Sequence, residues 1–193
     1  MIVKRFLIPQ TMGVVCGPAG AVWPYKLVTD VLAKPQSAFP DAFHLETNKP
    51  VTEIIENANS HPSHPFKILT SRGIIRARHI IHSSNGHVGH LVPGLIGRVF
   101  PVRGQMSAQP PEQNFPSLDS KHSWLINNEH GYDYLTQLPS NETTSNGEMM
   151  LGSGLAQTRN RGLEEIGVAT DFGTNIYADI HLSGALSAVF GRE

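Results

Sequence analysis

The sequence predicts an α/β fold with mixed sheets, on three observations. A one-faced helical run opens at Trp23-Pro24. Short alternating strands, separated by turn residues, follow between residues 66 and 82. After Pro93-Gly94 the chain changes character, and further turn-separated strands end in one long apolar helical run.

The elements follow in order. Residues 2–8 are apolar around Lys4 and Arg5 and read as a short strand. Gly13, Gly17, Pro18 and Gly20 make the next stretch a loop. Pro24 suits a first helical position, where its missing N–H costs nothing. Leu27, Val28, Val31 and Leu32 then share a face, and Pro35 is expected to end the helix. Residues 43–56 read as extended, and 57–65 as a loop. Phe66–Thr70 and Ile74–Arg78, joined by Ser71-Arg72-Gly73, form a meander. His79–His82 reads as one more strand, running into the loop Ser83-Ser84-Asn85-Gly86. Residues 98–106 read as a strand and 107–121 as loop. Ser123–Ile126, Tyr132–Leu138 and Met149–Leu155 read as strands. Residues 175–190 read as a helix, with Gly184 a mild flaw. No internal repeat is evident.

Composition narrows the function. Fifteen basic and sixteen acidic residues leave a net charge of −1 with no basic block, so no nucleic-acid footprint is present. A lone cysteine, Cys16, excludes an internal disulfide and a multi-cysteine zinc site, and favours a reducing, cytoplasmic setting. No apolar run is long enough to span a bilayer. The opening Lys4-Arg5-Phe6-Leu7-Ile8 imitates a signal peptide, but Pro9-Gln10-Thr11 interrupts it, and a strand is the simpler reading.

Four segments carry a resemblance. They are Ala19–Val28, with its Trp23-Pro24 helix entry; His44–Ile54; Thr70-Ser71-Arg72-Gly73 through Ile80 to Asn85-Gly86-His87; and Pro101-Val102-Arg103-Gly104-Gln105-Met106. In this order they resemble FAD-dependent oxidoreductases of the D-amino-acid-oxidase (glycine oxidase-like) family, over roughly residues 17–191. The resemblance implies a partial, Rossmann-like FAD/NAD(P)-binding domain with a β-meander over 1–97. An antiparallel substrate-domain sheet with a covering helix would follow over 98–193. It implies FAD as cofactor, with contacts at Val51, Ser84, Asn85, Gly86, Arg103, Gly104 and Gln105. The implied reaction is oxidation of a C–N bond in a small amine or amino acid, with dioxygen reoxidising the flavin.

The residues carry their own reading beside this. Small residues at Ser83–Gly86 let backbone approach a ligand closely, although a plain tight turn uses the same residues. Arg103 can grip a carboxylate bidentately or stabilise negative charge; its simpler role is a salt bridge. Tyr132 and Tyr134 share a strand face and could wall a substrate pocket, though ordinary strand packing explains them better. No catalytic acid or base is assigned.

The chain also departs from the family. The strand–GxGxxG–helix unit that holds a pyrophosphate is absent. Gly17-Pro18-Ala19-Gly20 has the wrong spacing, and Gly152-Ser153-Gly154 places Gln157 where the third glycine belongs. The chain therefore reads as an internal piece whose flavin site is incomplete. That leaves a second expectation, a non-catalytic remnant or interaction domain without bound flavin, and predicts unpaired sheet edges. His79, His82, His87 and His90 cluster without HExxH or a suitably spaced carboxylate, so they read as loop histidines and no metal is expected. A Gly-x-Ser-x-Gly elbow is absent.

Overall fold

The computed structural model describes residues 8, 11–56, 63–112, 115–118, 120–142 and 146–191; all but the last residue of the expected strand at 2–8 and most of the expected loop at 57–65 lie outside them. The fold combines helices with two antiparallel sheets. The chain divides into two compact units, Val22–Pro101 and Met1–Ala21 with Val102–Glu193.

The Val22–Pro101 unit opens with helix α1, Pro24–Ala38. Pro24 begins it as expected, but Pro35 does not end it. A proline deletes one ladder bond and leaves its own carbonyl usable, and Pro35 O still accepts from Phe39 N at 2.9 Å. Strands β1 (Val51–Glu56), β2 (Phe66–Thr70) and β3 (Gly73–Ala77) form the meander, in the order β1-β2-β3. The β2–β3 turn needs Gly73 at φ 133°, and Thr70 Oγ1 donates to Gly73 O at 2.9 Å. His79–His82 forms no strand, because no described strand lies beside it to supply a ladder. Ser83–Gly86 runs instead into a 3₁₀ helix, Asn85–His90. No described residue of this unit is buried.

The second unit holds the core. Strands β4 (Gln105–Gln109), β5 (Ser123–Asn128), β6 (Gly131–Gln137) and β7 (Met149–Ser153) form one sheet in the order β4-β7-β6-β5. Every strand pair in both sheets is antiparallel, which corrects the expectation of mixed sheets. Residues 107–109 are strand rather than loop. Ser107, Ala108 and Gln109 have little strand preference of their own, but β7 supplies a partner from Gln105↔Ser153 to Gln109↔Met149. The expected strand at 98–106 shrinks to an isolated bridge, Val102↔Ile166, before β4 begins.

Helix α2, Ile176–Phe190, covers β7 and β4. Asn175 caps it by accepting from Tyr177 N at 3.1 Å. Leu135, Met149 and Leu151 from the sheet meet Leu182 and Ala185 from the helix. Phe115, Trp124 and Phe190 close one side edge to face, with Phe115 and Phe190 centroids 5.1 Å apart. The fully buried Gln137 fastens the neighbouring loops: it accepts from Leu118 N at 2.7 Å and donates to Pro116 O and Asn146 O.

Candidate functional site

Arg103, Gly104 and Gln105 lead the chain into β4. They line a cleft of about 610 Å³ with Ser107 and Gln109 of the same strand, the 171–174 loop, and Asp179, Leu182 and Ser183 of α2. The cleft is built by crossing bonds between segments far apart in sequence. Arg103 Nε donates to Glu165 Oε2 at 2.7 Å, and the Arg103 backbone N–H donates to Glu165 O at 3.3 Å. The Glu165 carboxylate is only 3% exposed, and its other oxygen accepts from Asn175 Nδ2 at 2.6 Å. Gln105 uses both ends of its amide: Nε2 donates to Asp179 Oδ1 at 2.8 Å, and Oε1 accepts from Asn175 N at 2.6 Å. Thr174 Oγ1 donates to Asp179 Oδ2 at 2.6 Å.

These contacts set the electrostatics. The hydrogen bond from Arg103 holds the Glu165 carboxyl below its ordinary pKa; burial opposes this, and the Asn175 amide adds to it. The same bond raises the Arg103 pKa. A buried carboxylate with a guanidinium and an amide on it is a satisfied charge, and it ties the 159–165 3₁₀ segment to the start of β4.

The sequence candidates divide between the two units. Val51 starts β1 opposite Thr70, beside a bulge. Ser84 Oγ is buried with no hydrogen-bond partner among the described residues. Asn85 takes a left-handed φ of 49°. Gly86 is required to be small, but by the protein: an added Cβ would lie 2.7 Å from Pro101 Cα. Arg103 and Gln105 come together on the cleft, and Gly104 has open space around its Cα. Tyr132 and Tyr134 share a face of β6, 58% and 41% exposed with centroids 6.4 Å apart, but neither lines the cleft. The Tyr134 ring instead lies on Gly152, where a Cβ would collide with it.

Within each unit the protein itself already engages several groups of these residues. Among these candidates, Ser84 offers a buried group with no partner among the described residues. Pro101 takes the close approach at Gly86, Glu165 takes Arg103 Nε, and Asp179 and Asn175 take the two ends of the Gln105 amide. No strand–turn–helix unit of parallel strands is present among the described residues.

Sequence reasoning missed Glu165, Asn175 and Asp179. An asparagine before an apolar helical run, with an acid in the first turn, is a capping signal that could have found the last two. Nothing local marks Glu165.

A second polar cluster joins β6, β7 and α2. His181 Nε2 lies 2.7 Å from Asp133 Oδ1 and 3.5 Å from Ser153 Oγ. Both contacts use one ring nitrogen, whereas a serine–histidine–acid relay needs the two nitrogens on different partners. The pair is a pin between helix and sheet. Among the described residues no group of three or more His, Cys, Asp or Glu is placed to hold a metal ion, and no helix is long and apolar enough to cross a membrane. No family model and no curated protein matches the chain.

Proposed function

We propose that this chain carries the substrate-binding side of an FAD-dependent oxidoreductase acting on the C–N bond of a small amine or amino acid. The observation that carries the reading is the cleft itself. It opens beside Arg103-Gly104-Gln105, part of one of the four segments that carry the family resemblance, and its volume of about 610 Å³ suits a small ligand. In this reading β4 and α2 bind and orient the substrate, and Glu165 holds Arg103 and the loop beyond it in place. FAD and dioxygen are the cofactor and oxidant that the reading requires.

A second reading, a non-catalytic interaction domain, is favoured by two observations. Arg103 and Gln105 spend polar groups on the protein, and the described residues of Val22–Pro101 bury no core while exposing Trp23, Ile74 and Phe100. One experiment separates the two. The purified chain is mixed with FAD, desalted, and its visible spectrum recorded before and after anaerobic addition of amines and amino acids. A retained flavin that is bleached by such a substrate is the result expected of the oxidoreductase. A folded but colourless protein would overturn that reading and leave the second.

A further inference from the structure

Asparagine precedes glycine twice in the chain, at Asn85-Gly86 and at Asn146-Gly147. Such a pair exposes a side-chain amide to attack by the main chain, because glycine neither shields its own nitrogen with a side chain nor restricts the turn that brings the two together. The fold gives the two sites opposite surroundings.

At the second site both partners are held. Asn146 Nδ2 donates to Phe115 O at 3.1 Å, and Asn146 O accepts from the fully buried Gln137 side chain. Gly147 is buried, and an added Cβ there would collide with Leu138 O. Leu138 N donates to Glu148 O at 2.8 Å immediately beyond it. Turning the main chain between Asn146 and Gly147 would break these bonds, one of them to a fully buried amide.

At the first site neither partner is held. Asn85 is exposed, sits at a left-handed φ of 49°, and has no side-chain hydrogen bond among the described residues. The first bond of the 3₁₀ segment runs from His87 N to Ser84 O at 3.0 Å. The Gly86 N–H, one place before it, has no acceptor among the described residues. Pro101 fills the space where a Gly86 side chain would stand, but it takes no hydrogen bond from that N–H. No described residue of the Val22–Pro101 unit is buried, so a local opening around Asn85 disturbs no core there.

We propose that Asn85-Gly86 is a site of spontaneous deamidation through a succinimide, and that the folded chain protects Asn146-Gly147 from the same reaction. The Gly86 nitrogen, losing its proton to solvent base, attacks Asn85 Cγ. The Nδ2 group leaves as ammonia and a cyclic imide forms. Water then opens the ring at either carbonyl, giving aspartate or isoaspartate at position 85. The sum is one water consumed and one ammonia released, with nothing oxidised or reduced. The product places a new carboxylate in the Ser83–Gly86 loop, and the isoaspartate form also lengthens the main chain there. The reaction needs no flavin and stands apart from the oxidoreductase reading.

Peptide mapping by mass spectrometry tests this on the full chain, incubated near neutral pH in native buffer and, in parallel, in concentrated urea. Trypsin releases Asn85 within His79–Arg98 and Asn146 within His122–Arg159, and fragmentation assigns the deamidated residue. In native buffer Asn85 is expected to deamidate at least about tenfold faster than Asn146. In urea the two rates should come within about twofold, because the protection of Asn146 is lost with the fold. The Asn85 rate should rise with pH, and its products should include isoaspartate, which elutes apart from aspartate. Equal rates at the two sites in native buffer would overturn the proposal. So would an Asn85 that stays intact, a rate that does not respond to pH, or aspartate as the sole product.

Discussion

Glu165 shows how one residue organises the site. In the folded chain it stays ionised to lower pH than in the unfolded chain, because the Arg103 hydrogen bond outweighs the opposing effect of burial. The unfolded chain therefore binds more protons at this position as pH falls, and the native state loses stability. The contribution is fully present above the usual value of 4.5 and is lost as pH drops through the depressed native value. Urea midpoints measured from about pH 6 down to about pH 3 should show this decline. Glu165→Gln should lower the midpoint at the upper end and flatten the decline below it. An unchanged pH profile in the variant would rule out Glu165 as a source. Arg103 was legible as a polar candidate because Pro101-Val102-Arg103-Gly104-Gln105 is a local pattern. Its partner lies 62 residues further on, with no mark of its own.

At the scale of elements, β6, β7 and α2 depend on one another. Leu135 and Leu151 face each other across the β6–β7 pair and meet Leu182 from the helix. Leu151→Ala removes a side chain that is fully buried here, and is expected to cost roughly 2–5 kcal/mol in urea unfolding. A loss well under 1 kcal/mol would mean that the sheet and helix do not pack as described. The strands at 66–70, 123–128 and 131–137 were legible because alternation and turn residues bound them. Strand β4 extends past its readable limit because pairing with β7, rather than its own composition, decides it. At His79–His82 the same logic runs the other way: an apolar run without a neighbouring strand stays irregular. Among the described residues both sheets end in unpaired edges, as follows when each is small and open.

Across the molecule, the two units differ in how much they bury. The unit from Val102 onwards contains the buried cluster, whereas the described residues of Val22–Pro101 contain none. Backbone hydrogen bonds over a buried core open only with large-scale unfolding, while those with little burial open locally. Hydrogen exchange should therefore label β1, β2 and β3 well before β6 and β7. Equal protection of β2 and β6 would show that the meander is covered in solution by something beyond its own residues.

Local pattern in the chain accounts for the α/β character, for most strand and helix positions, and for the polar segment Arg103–Gln105. These depend on spacing between near neighbours, which a single sequence displays. Tertiary structure decided three other things: that every strand pair is antiparallel, that β4 runs to Gln109, and that Arg103 faces Glu165 while Asp179 lines the cleft. Each of these is a pairing between residues far apart in the chain. Such pairings are selected by burial and by hydrogen-bond satisfaction, which exist only once the segments have met.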